Sequence, residues 1–186
     1  MVVQVTRWRF TVSEYHRMVE SGILKEADRV ELIDGEVVEM TPIGSKHSAC
    51  IGRLIEQFVP SVTADAIVWV QNPIDLSERS EPEPDLALLR RRPDFYASGH
   101  PTTDDVLLLI EVSDTSLEFD RRVKVPLYAR SGIPDVWLVD LEHETITVYR
   151  DPAPDGYATA RVVRRGDVFA PAAFPERVLT VEDVVG

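Results

Sequence analysis

Two carboxylates sit in this sequence where carboxylates are costly. Asp85 opens the run DLALL, in which Asp85, Ala87 and Leu89 share one face of a strand. Glu111 ends the run VLLLIEV, in which Leu107, Leu109 and Glu111 share one face. A buried ionised carboxylate is strongly disfavoured unless it is paired or bound to a metal. Two of them at the ends of adjacent strands repel each other unless a cation lies between. A hard divalent ion such as Mg²⁺ takes oxygen ligands and tolerates water and substrate phosphate in its shell. It lowers the pKa of a bound water and polarises a phosphoryl oxygen. Lys124, on the helix that follows, would stabilise the attacking water or the developing negative charge. By analogy with an oxyanion donor, that is worth about 3 kcal/mol of transition-state binding. The same three residues also suit a structural ion-pair cluster, and spacing alone leaves both readings open.

Other chemistries lack their signatures. There is no glycine-rich phosphate loop and no dinucleotide fingerprint. Ser113 has no nucleophile-elbow context. His16, His47, His100 and His143 are scattered and, with Cys50 the only cysteine, form no recognisable zinc spacing.

The elements that must position the two acids can be read from the chain. The stretch from Asp104 to Asp140 reads as strand, helix, strand (Val106 to Val112, a helix bearing Lys124 and Tyr128, then Val136 to Asp140), a crossover that makes two buried parallel strands. Upstream, Thr11 and Glu14 form a capping box for a helix running to about Glu20. In RVELIDGEVVEM, Asp34-Gly35 marks a hairpin, with Val30, Leu32 and Val37 toward the core and Glu31 and Ile33 on the other face. Ser45 caps a second helix, about Lys46 to Val59, which Pro60 ends. A strand begins at Ala66 and is expected to extend to Leu76, and Asp85 to Leu89 is another. Asp120 is expected to be an N-cap, and Pro126 to kink or delay its helix. Ile146 to Arg150 reads as a hairpin partner of the preceding strand, Asp151 to Gly156 as a loop. Strand-like pieces follow at Ala160 to Val163 and Val168 to Ala170, then a short terminal segment.

The expectation is therefore an α/β fold with a mixed sheet, its core ordered helix, strand, strand, strand, helix, strand. A length of 186 residues suits one domain, with a core over about residues 45–140. The net charge of −12 weighs against general electrostatic capture of nucleic acid but leaves room for a local basic site. A lone cysteine, no secretory signal and no apolar run long enough for a bilayer lead to the expectation of a soluble, cytoplasmic protein.

Pro84-Asp85 followed by Glu111-Val112-Ser113 on this core resembles the PD-(D/E)XK nuclease superfamily. Within it, the sequence resembles the restriction-endonuclease-like Uma-two family. The resemblance rests on VELIDGEVVEM, Ser45-Lys46-His47, EPEPDLAL, IEVSD and DRRVKVPLYARSGIPDVWLVD, and covers roughly residues 10–150. It implies that Asp85, Glu111 and the backbone carbonyl of Val112 ligate Mg²⁺, for which Mn²⁺ can substitute, and that the substrate is a phosphodiester, DNA above all. The superfamily's lysine position, two residues after the glutamate, holds Ser113. Related families move that lysine to the following helix, where Lys124 fits. Glu31 also recurs in the family and would complete the acidic cluster, making Asp85, Glu111, Lys124 and Glu31 the candidate catalytic set.

His47, near a helix start, and Tyr128, one turn after Lys124, lie close enough in pattern to touch the site, although a tyrosine there also suits packing. Arg90 to Arg92, Arg121 and Arg122 are candidates for phosphate contacts. The expected function is a divalent-metal-dependent endonuclease. The alternative is a nuclease-fold protein without activity that binds nucleic acid or a protein partner. The N-terminal helix and hairpin and the C-terminal strands lie outside the core and suit a homodimer contact.

Overall fold

The computed structural model describes residues 6–62 and 64–186. A six-stranded sheet carries the fold, with strands in the spatial order β3 (Ala66–Val70), β4 (Leu86–Arg90), β5 (Val106–Ser113), β6 (Asp135–Asp140), β7 (Thr145–Ala153) and β8 (Gly156–Val163). Only β5 and β6 are parallel. That pair needs a crossover, and the chain supplies it as α3 (Leu117–Phe119), a π-helical turn (Asp120–Lys124) and α4 (Val125–Arg130).

Strand alternation splits the core in two. Leu86, Leu88, Leu108, Ile110, Val112, Trp137 and Val139 face α2 (Ser45–Val62) and α5 (Val181–Val185). Ala87, Leu89, Leu109, Val136 and Leu138 face the crossover helix, packing with Val125, Leu127 and Tyr128. Glu111 belongs by alternation to the second face, and so does Asp85. In the β4–β5 register Leu86 opposes Ile110, so one step further Asp85 opposes Glu111.

The N-terminal unit is α1 (Val12–Glu20) and a hairpin of β1 (Val30–Ile33) and β2 (Glu36–Glu39). The Thr11–Glu14 capping box forms as the sequence requires. Asp34 and Gly35 both take positive φ, the conformation of a tight hairpin turn. Gly35 also lies where a Cβ would stand 2.8 Å from Arg9 Cβ and 2.9 Å from the Phe10 carbonyl oxygen. Leu32 joins Glu81 by two backbone hydrogen bonds, which lays the hairpin against the segment leading into β4.

Several local expectations are corrected. Both faces of β1 are covered, since Glu31, Leu32 and Ile33 are all buried. Strand β3 stops at Val70 rather than Leu76 because Gln71 turns left-handed, at φ 48°. Helix α2 starts at Ser45 and runs through Pro60 to Val62. A proline in the last turn sacrifices one hydrogen bond, and the Ser61 hydroxyl donates to the Gln57 and Phe58 carbonyls there. Strand β7 continues to Ala153 and pairs with Gly156, so the expected loop over 151–156 is mostly ladder. Asp120 is not an N-cap. The helix begins earlier, and Asp120 lies buried in the π turn. C-terminal to β8, β9 (Val168–Phe169) pairs with β10 (Leu179–Thr180).

Two glycine substitutions test this architecture. Gly35→Ala should destabilise by about 1–3 kcal/mol through backbone strain and the Arg9 contact. Gly52→Ala, in α2 with nothing within 4 Å of the added methyl, should stabilise by about 0.5–1 kcal/mol. Urea unfolding of both variants measures the pair, and equal effects would contradict the fold.

Candidate active site

Lys124 stands at the centre of a buried electrostatic knot. Its ammonium lies 3.0 Å from Glu31 Oε2 and 3.2 Å from Glu111 Oε1. Only 5% of Lys124, 3% of Glu31 and 2% of Glu111 is exposed. Three separate parts of the chain supply these groups: the hairpin, the end of the central strand and the π turn. The Tyr128 hydroxyl, one turn beyond Lys124, donates to the same Glu111 oxygen at 2.5 Å. Glu31 Oε2 also accepts the Glu83 N–H at 3.1 Å.

Asp85 forms the outer wall. Its Oδ2 accepts the Val112 N–H at 2.8 Å, which ties it to the residue after Glu111. Its Oδ1 lies 2.9 Å from His47 Nε2 and 3.4 Å from Gln71 Nε2. The hydrogen bond to Asp85 raises the His47 pKa against the opposing effect of burial. The other ring nitrogen, Nδ1, is buried with no hydrogen-bond partner among the described residues.

Ser113 donates to Asp120 Oδ2 at 2.7 Å, and the Ser116 hydroxyl donates to the same oxygen. This carboxylate thereby anchors the π turn to the strand end. The turn matters to the site because Val125 N–H reaches back to the Asp120 carbonyl and resets the helix phase just before Pro126. Pro126 follows the π turn at the start of α4, where the ladder is already shifted and its missing N–H falls at the break.

Charge counts against a purely structural cluster. Asp135 shows what a satisfied buried acid looks like here: Arg150 donates to both its oxygens, and Trp137 and the Ala172 N–H complete the set. The Lys124 knot has no such balance. Glu31 and Glu111 share one ammonium, and Asp85 and Asp120 add further negative charge nearby. Burial is the largest cause pushing the Glu111 carboxyl up to about 8; Lys124 pulls it down, while Asp85, Asp120 and Glu31 push it further up. Burial alone would lower the Lys124 pKa, but Glu111, Glu31 and Asp120 outweigh it and hold the ammonium charged. Tyr128 is raised well above its usual range, first by burial and then by Glu111, so its hydroxyl stays a donor.

The cleft over this knot has a volume of about 140 Å³. Glu31, Glu39, Glu83, Asp85, Glu111, Asp114 and Asp120 line it, against the cations Arg29 and Lys124, with His47 beside Asp85. Tyr128 and Lys124 both bond to Glu111 through Oε1. Carboxylate oxygens with an uncompensated negative charge are the donor set of a hard divalent cation, so the residues present fit one.

The structure therefore brings Asp85, Glu111, Val112, Lys124 and Glu31 to one cleft. It also adds two residues whose placement the sequence left open. His47 meets Asp85 because α2 starts beside the cleft, and Tyr128 is bonded to Glu111 as well as packed. The arginines behave differently. Arg90 donates to the Asp104 carbonyl, Arg92 pairs with Asp94, and Arg121 and Arg122 pair with Glu118. Arg91 lies over the Phe95 ring. None of these five lines the cleft, whereas Arg29, which sequence pattern did not single out, does.

The helix, three antiparallel strands, crossover helix and parallel strand, with acids at the ends of the second and third strands, define a restriction-endonuclease-like fold. The chain belongs to the Uma2 (Uma-two) family, described as "Putative restriction endonuclease", which it matches over residues 12–182. A crystal structure of a "putative nuclease belonging to DUF820" from Anabaena variabilis has a TM-score of 0.74 to this chain at 16% identity, covering 95% of this chain and 97% of that one. No curated protein is significantly similar. No helix among the described residues is long and apolar enough to cross a membrane.

The Glu111 carboxyl makes a pH prediction for the metal-free protein. Its folded pKa is raised above the unfolded value of 4.5, so its contribution is full below pH 4.5 and is lost as pH climbs toward 8. Chemical denaturation in chelator should show stability falling across that window, and Glu111→Gln should flatten the fall. An unchanged slope in the variant would contradict the assignment.

Proposed function

We propose that the protein is a divalent-metal-dependent endonuclease that hydrolyses phosphodiester bonds in DNA. The observation that carries this reading is the facing pair Asp85 and Glu111 at one rim of a cleft, with Lys124 held 3.2 Å from Glu111. Family membership supports a nuclease, and the excess of carboxylates in the cleft supports a cation as the partner that makes it hospitable to a phosphate.

Asp85, Glu111 and the Val112 carbonyl would hold the ion, with Mg²⁺ the best fit to an all-oxygen donor set and Mn²⁺ a substitute. When bound, the ion supplies a polarised phosphoryl oxygen and a more acidic water. The protein groups do the positioning. Glu31 fixes the Lys124 ammonium from one side and Glu111 from the other, so the cation is aimed rather than free to sample rotamers. Tyr128 holds Glu111 Oε1, which would leave Oε2 to the ion. His47 and the Val112 N–H hold Asp85 through Oδ1 and Oδ2, which fixes its carboxylate before substrate arrives. Lys124 orients the attacking water and stabilises charge growing on the phosphoryl oxygens. The water oxygen bonds to phosphorus as it gives up a proton to bulk solvent, the P–O ester bond breaks, and the departing alkoxide takes a proton from solvent. Arg29 at the cleft wall offers a contact for a flanking phosphate.

Supercoiled plasmid with Mg²⁺ or Mn²⁺ tests the reading. The unaltered protein should nick or linearise it, and chelation should stop the reaction. Asp85→Asn and Glu111→Gln, which keep side-chain shape and remove one carboxylate ligand for the ion, should each reduce the rate about 10²–10³-fold while leaving the folded state intact. Cleavage that persists in the double variant would overturn the proposal.

A further inference from the structure

Outside the nuclease-like cleft, a second set of metal-binding side chains comes together. His16 on α1, Glu81 before β4 and His100 in the loop before β5 present ligand atoms that all lie within 4.8 Å of one another. They are far apart in sequence, which is why no zinc spacing is legible in it. The His16 Nε2 atom lies 2.8 and 2.9 Å from the two Glu81 oxygens, and the His100 ring meets the His16 ring edge-on at 6.3 Å.

The scaffold behind these groups is rigid. Glu81 is 3% exposed, and its backbone is bonded to Leu32 of the hairpin on both sides. His100 is positioned by its neighbour Pro101, whose carbonyl accepts the Asp75 N–H at 2.8 Å. Asp75 brings its own carboxyl beside Glu81, and its Oδ1 is buried with no hydrogen-bond partner among the described residues. Burial first, and then the Asp75 carboxyl, push Glu81 up to about 7, with His16 opposing. Two adjacent carboxyls in a half-dry pocket, one with an orphaned oxygen, are short of positive charge in the same way as the Lys124 knot.

We propose that His16, Glu81 and His100 form a second metal site, for a divalent ion of the zinc class, with Asp75 or water as the fourth ligand. Two imidazoles and a carboxylate are a zinc-type donor set and a poor one for Mg²⁺, which prefers oxygen. Tetrahedral coordination with bonds of about 2.0–2.1 Å sets ligand atoms about 3.4 Å apart. The cluster reaches that spacing by rotation of the exposed His100 ring and a small opening of the His16–Glu81 contact. The ion would staple α1 to the segment that enters β4. It would also sit in a groove sharing Arg29, Ile43 and Glu83 with the nuclease-like cleft, so the two sites neighbour each other.

Zinc titration calorimetry on the chelator-stripped chain, with Mg²⁺ in excess, tests this, alongside the visible d–d absorption of Co²⁺ as a probe of tetrahedral geometry. The unaltered protein should take up Zn²⁺ stoichiometrically and give the tetrahedral Co²⁺ bands. His100→Ala, at an exposed position where folding is not at risk, should lose one equivalent or weaken it about 10–100-fold or more, and abolish the bands. Asp85→Asn should retain that equivalent. Absence of stoichiometric zinc in the unaltered chain, uptake undiminished in His100→Ala, or loss of the equivalent in Asp85→Asn would each overturn the proposal.

Discussion

One ammonium among too many carboxylates is the constraint around which the rest of the molecule is arranged. Lys124 bonds to Glu31 and Glu111 in a site from which water is almost excluded. A single buried ion pair at best roughly balances its desolvation. Here a second buried acid shares the same cation, and Asp85 and Asp120 stand close by. The fold keeps this arrangement through many well-satisfied neighbours rather than through the knot itself. Its dry core on both faces of the sheet supplies the stability that the knot withholds. The surplus charge is the feature that a bound cation would relieve, and it separates this cluster from the fully partnered Asp135.

Delivery of Lys124 depends on an irregular helix. A regular helix through Asp120–Lys124 would rotate every later residue by a large part of a turn relative to the sheet. The π turn absorbs the extra residue, and the Ser113–Asp120 hydrogen bond fixes where that happens. Lys124 and Tyr128 then lie one above the other on the face that meets Glu111. Ser113 at the strand end is thus tied to the helix. Its hydroxyl binds the carboxylate that sets the path of the segment bringing Lys124. Glycine serves the same end elsewhere: Gly35 allows the hairpin to lie against Arg9 and Phe10 and so presents Glu31.

Much of this could be read from the chain because the signals were local. The Thr11–Glu14 box, the Asp34-Gly35 turn and the strand–helix–strand pattern over 104–140 each depend on residues a few positions apart, and each forms as expected. The meeting of Asp85 with Glu111 followed from alternation in two neighbouring strands. What escaped was set by contacts across the fold. Pro60 read as a stop because the Ser61 back-bonds are visible only in three dimensions. Asp120 read as a cap because its partners, Ser113 and Ser116, lie on the preceding strand end and the helix approach. His47 on Asp85 depends on the tilt of α2, and Arg29 on the left-handed turn that ends the short 3₁₀ segment before β1. The gathering of His16, Glu81 and His100 requires the hairpin, α1 and two loops to be in place at once, so no spacing rule anticipates it.

The proposed chemistry stands or falls with a cation between Asp85 and Glu111. Crystals grown in Mn²⁺ and measured at the manganese absorption edge test it most directly. An anomalous peak is expected within bonding reach of an Asp85 oxygen, Glu111 Oε2 and the Val112 carbonyl, with Lys124 still paired to Glu31. A cleft without anomalous density at saturating Mn²⁺, with both carboxylates turned away from each other, would contradict it.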